Sequence, residues 1–235
     1  MKVRIVSIIV LSITLASCEE NVVRINEVPA EIIATKPCAT LYPRFKSLFP
    51  EFVNNESKQA VLFSDTVQKR IVLTRDTDVY LTFISEGATL QNTLGWYAFT
   101  TEESSQNPHD VDWHILFPNV SNKVLAAGDR LKLSDQLFKK GTVIGFFLIA
   151  DGWQNGVINY NKTTFFSTLS SNVDQLQQHV LFKEKTCGDL VLAFEDVSVT
   201  QTDCDHDFND IIFTVSDNNA NLENTSFEQS HIAIL

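Results

Sequence analysis

Acidic residues crowd one short part of this sequence, between residues 195 and 210. They are Glu195, Asp196, Asp203, Asp205, Asp207 and Asp210, with Asn209 among them. Because like charges repel, a folded loop must keep some of these carboxyl groups protonated or bind a cation. Ca²⁺ prefers carboxylate and carbonyl oxygens, roughly six to eight of them in flexible geometry, whereas Mg²⁺ demands stricter octahedral order. The segment therefore predicts a calcium site, with Mg²⁺ as second choice and a solvated acidic loop as the alternative.

The spacing Asp203-x-Asp205-x-Asp207 is similar to the first half of an EF-hand loop, but an EF-hand is excluded. Phe208 and Thr214 stand where that loop needs Gly and a bidentate Glu. If the segment is extended, the three Asp side chains project to one side and Phe208 points into the core.

Apolar runs at Leu190–Glu195 and Asp210–Val215 flank the acidic segment and are typical of β-strands. If these strands pair as a long hairpin, Glu195 and Asp210 lie at the same end of the loop. The acidic cluster would then be positioned by a sheet rather than by helices.

Short apolar or alternating segments separated by polar turns fill most of the chain, with no long helix. This pattern predicts an all-β fold, an antiparallel β-sandwich or jelly-roll, preceded by a short helical turn within Tyr42–Phe52 that Pro50 truncates. We expect one domain over residues 38–217 and a C-terminal tail over 218–235, whose last residues add an edge strand or fray. The other expected strands are Ala60–Phe63, Arg70–Leu73, Val79–Ile84, Leu94–Phe99, Trp113–Phe117, Arg130–Leu133, Val143–Ala150 and His179–Phe182. A single helical turn is expected at Leu137-Phe138.

The N-terminus has the order of a bacterial lipoprotein signal: Lys2 and Arg4, an uncharged apolar stretch, then Leu15-Ala16-Ser17-Cys18. We expect residues 1–17 to be a signal peptide, Cys18 to be lipidated, and residues 18–37 to form a tether. A plain cleaved signal is the alternative. The prediction places the protein outside the cytoplasm, anchored by lipid at the outer membrane or cell surface.

Three cysteines remain if Cys18 is acylated, so they cannot all pair within the chain. Cys187 and Cys204 bracket part of the acidic segment, and a disulfide between them is a hypothesis. No Cys/His pattern typical of a zinc site is present in the sequence.

Net charge excludes one class of partner. The chain carries 18 Lys and Arg against 29 Asp and Glu, a formal charge of −11. Such a chain lacks the basic surface that binds nucleic-acid phosphate, so we expect no DNA or RNA partner.

Phe194-Glu195-Asp196 followed by Asp205-His206-Asp207-Phe208-Asn209-Asp210 resembles the F-E-D … D-x-D-F-N-D signature of a bacterial secreted-protein domain family of unknown function. Members include Bacteroidota lipoproteins, and the resemblance runs from Val79 to Val215. The resemblance implies an all-β domain whose acidic residues suggest metal binding or, in some descriptions of the family, enzymic activity, although no activity is established. The positions that match are Glu86, Glu195, Asp196, Asp205, Asp207, Asn209 and Asp210. Many members have a Gly-rich stretch where this chain has residues 197–204, which leaves the role of Asp203 open.

Two functions are compatible with these patterns. The first is a non-catalytic envelope lipoprotein whose calcium-bound β domain presents loops to a glycan, a matrix component or another envelope protein. The second is a hydrolase of extracellular glycan that uses Glu86 and Glu195 as acid and base, or a metal-bound water. Binding is preferred, because the sequence has no nucleophile elbow and no Ser/His/Asp set. Trp96, Trp113 and Trp153 could stack on sugars, but core packing is the expected role.

Overall fold

The computed structural model describes residues 27–29, 31–103, 106–220 and 222–235. The predicted signal peptide, Cys18 and the first part of the tether lie outside these residues. Within the described part of the chain, no helix has the length and apolar character needed to cross a membrane.

Two sheets form a β-sandwich, which confirms the expected all-β class. The larger sheet contains seven strands: β1 (Ile33–Ala34), β3 (Tyr80–Glu86), β6 (Asp129–Lys132), β11 (His179–Lys183), β12 (Leu190–Phe194), β13 (Ile211–Ser216) and β14 (Ala233–Ile234). Their order across the sheet is β1-β6-β3-β13-β12-β11-β14, and neighbouring strands are antiparallel except for the β11–β14 pair.

The smaller sheet contains five strands: β2 (Ile71–Val72), β4 (Asn92–Thr100), β5 (His114–Val120), β7 (Thr142–Ile149) and β10 (Thr164–Phe166). Four of them lie in the order β10-β7-β4-β5, and β2 is also paired with β7. A separate antiparallel pair is formed by β8 (Trp153–Gln154) and β9 (Val157–Ile158).

Alternating side chains divide each strand of the larger sheet between two apolar layers. Leu81 and Phe83 of β3 face the core between the sheets, where Phe83 packs edge-on against Phe213 at 5.7 Å. Ile84 and Ile212 belong to a second layer on the outer face. Both faces of these strands are therefore buried, which rigidly positions the loops at their ends.

A short helix, α1 (Leu41–Leu48), covers the outer face of the larger sheet. Phe45 and Phe49 are buried and stack with Phe182 of β11, the latter at 5.5 Å. The predicted short helix with an aromatic core face is thus confirmed. Phe52 is an exception to that face, because its side chain is 81% exposed.

Several local predictions were wrong. Residues Ala60–Phe63 form a 3-10 helix instead of a strand. Phe138 is not in a helical turn but forms an isolated antiparallel bridge with Thr77. Short strands such as β10 and the β8–β9 pair carry too few residues for their alternation to be read from sequence.

The disulfide hypothesis also needs correction. Cys187 is bonded to Cys38, with Cα atoms 6.1 Å apart, and Cys204 is a free thiol. Cys38 lies just before α1, and the packing of α1 on the larger sheet brings it to the turn between β11 and β12. Sequence spacing could not reveal this pairing, because the two residues are 149 positions apart.

The tryptophans have the packing role expected of them. Trp96 and Trp153 are buried. Trp113 lies against the rings of Phe147 and Phe166, and its indole N–H donates a hydrogen bond of 2.8 Å to the carbonyl of Pro108.

Candidate metal centre

Three strands of the larger sheet end side by side at the acidic segment. In the β12–β13 pair Phe194 is opposite Ile211, so the next residues out, Glu195 and Asp210, lie at the same end, as the hairpin prediction required. On the other side of β13, Ile211 is paired with Glu86 of β3. The sheet register therefore collects carboxylates from sequence positions more than 100 residues apart at one edge.

Glu195, Asp196 and Asp210 form a buried acidic group. The backbone N–H of Asp196 donates to Oδ2 of Asp210 at 2.8 Å, and Nδ2 of Asn92 donates to Oδ2 of Asp196 at 2.8 Å. Burial, helped by the charges of Asp196 and Glu195, raises the pKa of Asp210 to about 9. Burial also raises the pKa values of Glu195 and Asp196. Without a cation, this group must hold at least one proton at neutral pH.

Glu195 organises the loop that follows it. Its Oε1 accepts a 2.5 Å hydrogen bond from the backbone N–H of Phe208, and the thiol of Cys204 donates to its Oε2 at 3.6 Å. The Phe208 ring is fully buried and packs against Phe63 at 5.0 Å. Phe208 thus anchors the loop in the core, as expected.

The acidic loop is not extended, in contrast to the geometric prediction. His206 and Phe208 both have φ near 58°, in the left-handed region that β-strands do not use. Asp205 accepts from the backbone N–H of Asp207 at 3.3 Å, and Asp207 accepts from that of Asn209 at 3.1 Å. Local side-chain hydrogen bonds of this kind compete with strand pairing and curl the segment.

This curl brings Asp205 and Asp207 to Glu51, a residue of the segment after α1. One carboxylate oxygen from each of the three lies within 4.8 Å of the other two. Oδ2 of Asp207 also accepts a 3.0 Å hydrogen bond from the backbone N–H of Phe52. Burial, together with the charges of Asp205 and Glu195, raises the pKa of Asp207 to about 7.

Asn55 fastens the same segment to the acidic loop. It is fully buried, its backbone N–H donates to the carbonyl of His206 at 2.9 Å, and its Nδ2 donates to the carbonyl of Asp207 at 3.0 Å. Among the described residues, none donates a hydrogen bond to Oδ1 of Asn55. Nδ1 of the His206 ring is within hydrogen-bond distance of Oε1 of Glu56, at 2.9 Å.

The remaining candidates lie around these two groups. Asn209 donates weakly from Nδ2 to the carbonyl of Phe49 at 3.4 Å. Glu86 accepts from the backbone N–H of Asn122 at 3.1 Å, and its pKa is raised by burial and by the charge of Asp196. Asp203 is exposed and is not among the carboxylates within 4.8 Å of Glu51.

The donor set of Glu51, Asp205 and Asp207 fits a hard divalent cation. Two oxygens bound to one Ca²⁺ at about 2.3–2.6 Å can be at most about 5 Å apart, and the three carboxylates meet that limit. All the donors are oxygens, which suits Ca²⁺ or Mg²⁺ better than zinc. The buried Oδ1 of Asn55 beside the loop has no hydrogen-bond donor among the residues that the structure describes. This oxygen is therefore able to accept a hydrogen bond or to face a cation.

Glu51 and Asn55 were missed by the sequence prediction. They lie about 150 residues before the acidic loop. Glu51 falls within the helical turn predicted for Tyr42–Phe52, and Asn55 follows that turn. The signal available was local: Glu51, Asn54, Asn55 and Glu56 are oxygen-bearing residues directly after the helix-ending Pro50. Nothing in that pattern says which loop they approach.

Comparison with known proteins gives a domain match over part of the chain and no activity. No curated protein and no solved structure matches the chain. The acidic loop and strands β7 to β13 lie inside a stretch that matches a family model, whereas Glu51 and Glu86 lie before it. That stretch, residues 138–218, matches the model of a domain of unknown function, DUF4114.

Proposed function

We propose that this chain is an exported, lipid-anchored cell-envelope protein whose β-sandwich binds Ca²⁺ and serves as a non-catalytic binding module. The observation that carries the metal proposal is the meeting of Glu51, Asp205 and Asp207, whose oxygens lie within 4.8 Å of one another. Like charges at this distance are tolerated when a cation neutralises them.

The surrounding groups favour a structural cation. Asp207 is 1% exposed and Asp196 is 5% exposed, so water does not surround these two carboxyl groups. A cation held by Glu51 from the segment after α1 and by Asp205 and Asp207 from the loop would join two distant parts of the chain. The bound ion supplies positive charge and fixes the conformation of the loop.

The preference for binding over hydrolysis rests on Glu195. Its carboxylate is 1% exposed and is committed to the backbone of Phe208 and the thiol of Cys204. A general acid or base must reach the substrate, and this carboxylate lies behind the loop that it organises. We therefore propose that the domain recognises a glycan or another envelope protein without cleaving it.

Thermal unfolding tests the metal proposal directly. The protein is melted in EDTA, in CaCl₂ and in MgCl₂. A ligand that binds only the native state at 100 times its Kd adds about 2.7 kcal/mol, which for a domain of this size raises Tm by about 5–10 °C. We expect this rise with Ca²⁺ and a smaller one with Mg²⁺.

Two matched Asp variants locate the site. Asp207→Asn removes a charge from the cluster and is expected to abolish the Ca²⁺-induced rise in Tm. Asp203→Asn makes the same chemical change at an exposed position and is expected to keep the rise. Equal responses from the two variants, or no response of the wild type to either ion, would contradict the proposed site.

The anchor and the absence of catalysis have separate tests. Cys18→Ser is expected to abolish labelling by radioactive palmitate and to release the protein from the membrane fraction. A glycan-hydrolysis screen is expected to find no activity. Hydrolysis that disappears in Glu86→Gln would overturn the non-catalytic assignment.

A further inference from the structure

A second polar site lies at the opposite end of the strands that carry the acidic loop. The acidic loop joins Glu195, after β12, to Asp210, before β13. The far ends of the same strands, at Asp189 and Ser216, border a separate cavity of about 370 Å³. This volume falls in the range of small-molecule sites.

Arg130 and Thr214, which line this cavity, belong to a polar row on the outer face of the larger sheet. In the strand register Arg130 of β6 is beside Thr82 of β3, which is beside Thr214 of β13. All three side chains are buried, and Nε of Arg130 donates a 2.7 Å hydrogen bond to Oγ1 of Thr82. That bond fixes the plane of the guanidinium group, which lines the cavity.

The cavity lining carries one more positive than negative side chain, although the protein as a whole is acidic. Arg130, Lys183 and Lys185 line the cavity, against Asp189 and Glu223. Nζ of Lys183 is 3.3 Å from Glu223 and donates to Oε1 of Gln229 at 3.2 Å. The Glu223 side chain is 77% exposed, whereas that of Lys183 is 22% exposed. Lys185 is exposed at the mouth. In a chain of net charge −11, this lining therefore has an excess of one positive charge.

The other lining groups can recognise hydroxyls. Thr214 and Ser216 present hydroxyl oxygens to the cavity, and the Ser216 hydroxyl donates to the carbonyl of Asn218 at 2.9 Å, which leaves its oxygen able to accept. The amide of Asn224 is already bonded to Asp217 and Val215. The carboxylate of Asp189, which interacts with the charge of Arg130, is a strong acceptor. Arg and Lys recognise oxyanions, with Arg able to bind a carboxylate in a bidentate manner. The two acidic side chains oppose a ligand of high negative charge density.

We propose that this cavity, formed by Arg130, Lys183, Lys185, Asp189, Thr214 and Ser216, binds a small hydroxylated monocarboxylate, such as an acidic sugar. Its carboxylate faces the guanidinium and ammonium groups, and its hydroxyls face Asp189 and the hydroxyl side chains. The site is independent of the proposed cation centre.

The test is an NMR titration of the full chain with three probes: D-glucuronate, D-glucose and inorganic phosphate. Glucuronate is expected to bind in the millimolar range and to shift the backbone amides of Thr214, Ser216 and Gly188. Glucose has the same ring without the carboxylate and is expected to bind at least tenfold more weakly. Equal binding of glucose, tighter binding of phosphate, or no saturable shift with glucuronate would overturn the proposal.

Charge reversal at the cavity mouth gives the matched variants. Lys185→Glu leaves the buried polar row intact and is expected to weaken glucuronate binding about fivefold or more, the effect of about 1 kcal/mol of Coulomb energy at a solvated site. Lys140→Glu makes the same change at an exposed lysine that does not line the cavity and is expected to leave binding unchanged. Equal effects of the two variants would show non-specific attraction and overturn the assignment.

Discussion

The backbone N–H of Phe52 donates a 3.0 Å hydrogen bond to Oδ2 of Asp207, across 155 positions of sequence. This contact ties the segment after α1 to the acidic loop. It orients one carboxylate oxygen and leaves the other, Oδ1, to accept from Asn209. Each oxygen keeps a lone pair, so Asp207 can hold the loop and still coordinate a cation.

Glu51 is therefore expected to contribute to cation affinity although it lies far from the acidic segment in sequence. Glu51→Gln should weaken Ca²⁺ binding at least tenfold, about 1.4 kcal/mol, in isothermal titration calorimetry. Glu102→Gln, an exposed acidic side chain elsewhere, should bind as the wild type does. Unchanged affinity in Glu51→Gln would remove this residue from the site.

Metal-free stability is expected to fall as pH rises. The pKa values of Asp207, about 7, and Asp210, about 9, lie above the ordinary value of 3.8. Between pH 3.8 and these raised pKa values, the folded state therefore binds more protons than the unfolded state. The stability that these groups contribute is lost as pH rises through their folded pKa values. Urea unfolding in EDTA between pH 5 and pH 9 should show this decline.

Calcium should flatten the part of that decline that comes from Asp207, because the cation replaces the proton of this carboxyl group. Asp207→Asn should also flatten the part of the decline below about pH 7, since the amide does not titrate. A metal-free profile that is level or rises over this range would contradict the buried protonated carboxyl groups.

His179 should make the protein sensitive to acid. It is fully buried, Nε2 lies 2.9 Å from the carbonyl of Lys69, and burial lowers its pKa from 6.5 to about 4. The unfolded state binds the extra proton first, so this contribution to stability is lost as pH falls from 6.5 towards 4. In urea titrations at acid pH, His179→Gln should reduce that slope, at a baseline cost of about 1–3 kcal/mol. His231→Gln, at an exposed histidine, should keep the slope of the wild type.

The cysteines should differ in both stability and reactivity. Replacing Cys38 and Cys187 by Ser should destabilise the protein by about 2–4 kcal/mol, whereas Cys204→Ser should have a smaller effect. Burial and the charge of Glu195 raise the pKa of Cys204 to about 12, so its thiol should react slowly with iodoacetamide until the protein unfolds. Peptide mapping of the unreduced protein should recover Cys38 linked to Cys187, and recovery of a Cys187–Cys204 peptide would contradict the structure.

Gly145 should resist substitution, because a Cβ atom there would lie 2.3 Å from the ring of Tyr97. Gly145→Ala should therefore destabilise the protein by about 1–3 kcal/mol through overpacking, measured by urea unfolding. At Gly87 the nearest atoms would be 3.6 Å away, so Gly87→Ala should cost less. A Gly145→Ala variant as stable as Gly87→Ala would contradict this packing.

The sequence predicted the strands and the hairpin that carry the acidic segment, since Leu190–Phe194 and Ile211–Ser216 are apolar runs bounded by acids. It could not predict the curl of the loop, in which His206 and Phe208 have left-handed backbone conformations. This curl accompanies a hydrogen bond from the backbone N–H of Phe208 to the carboxylate of Glu195, 13 residues earlier, which local sequence patterns do not encode. Nor could it reveal Glu51 or the Cys38–Cys187 bond. Both follow from the packing of α1 on the outer face, a long-range contact that local periodicity does not encode.

The disulfide also sets the path of mechanical load through the molecule. Tension applied to the chain before Cys38 and after Cys187 passes through the covalent bond and bypasses residues 39–186, including α1 and Glu51. The acidic loop, from Glu195 to Asp210, stays on the loaded side. A cation shared by Glu51 and Asp207 would thus be held between a part of the chain shielded from force and a part exposed to it.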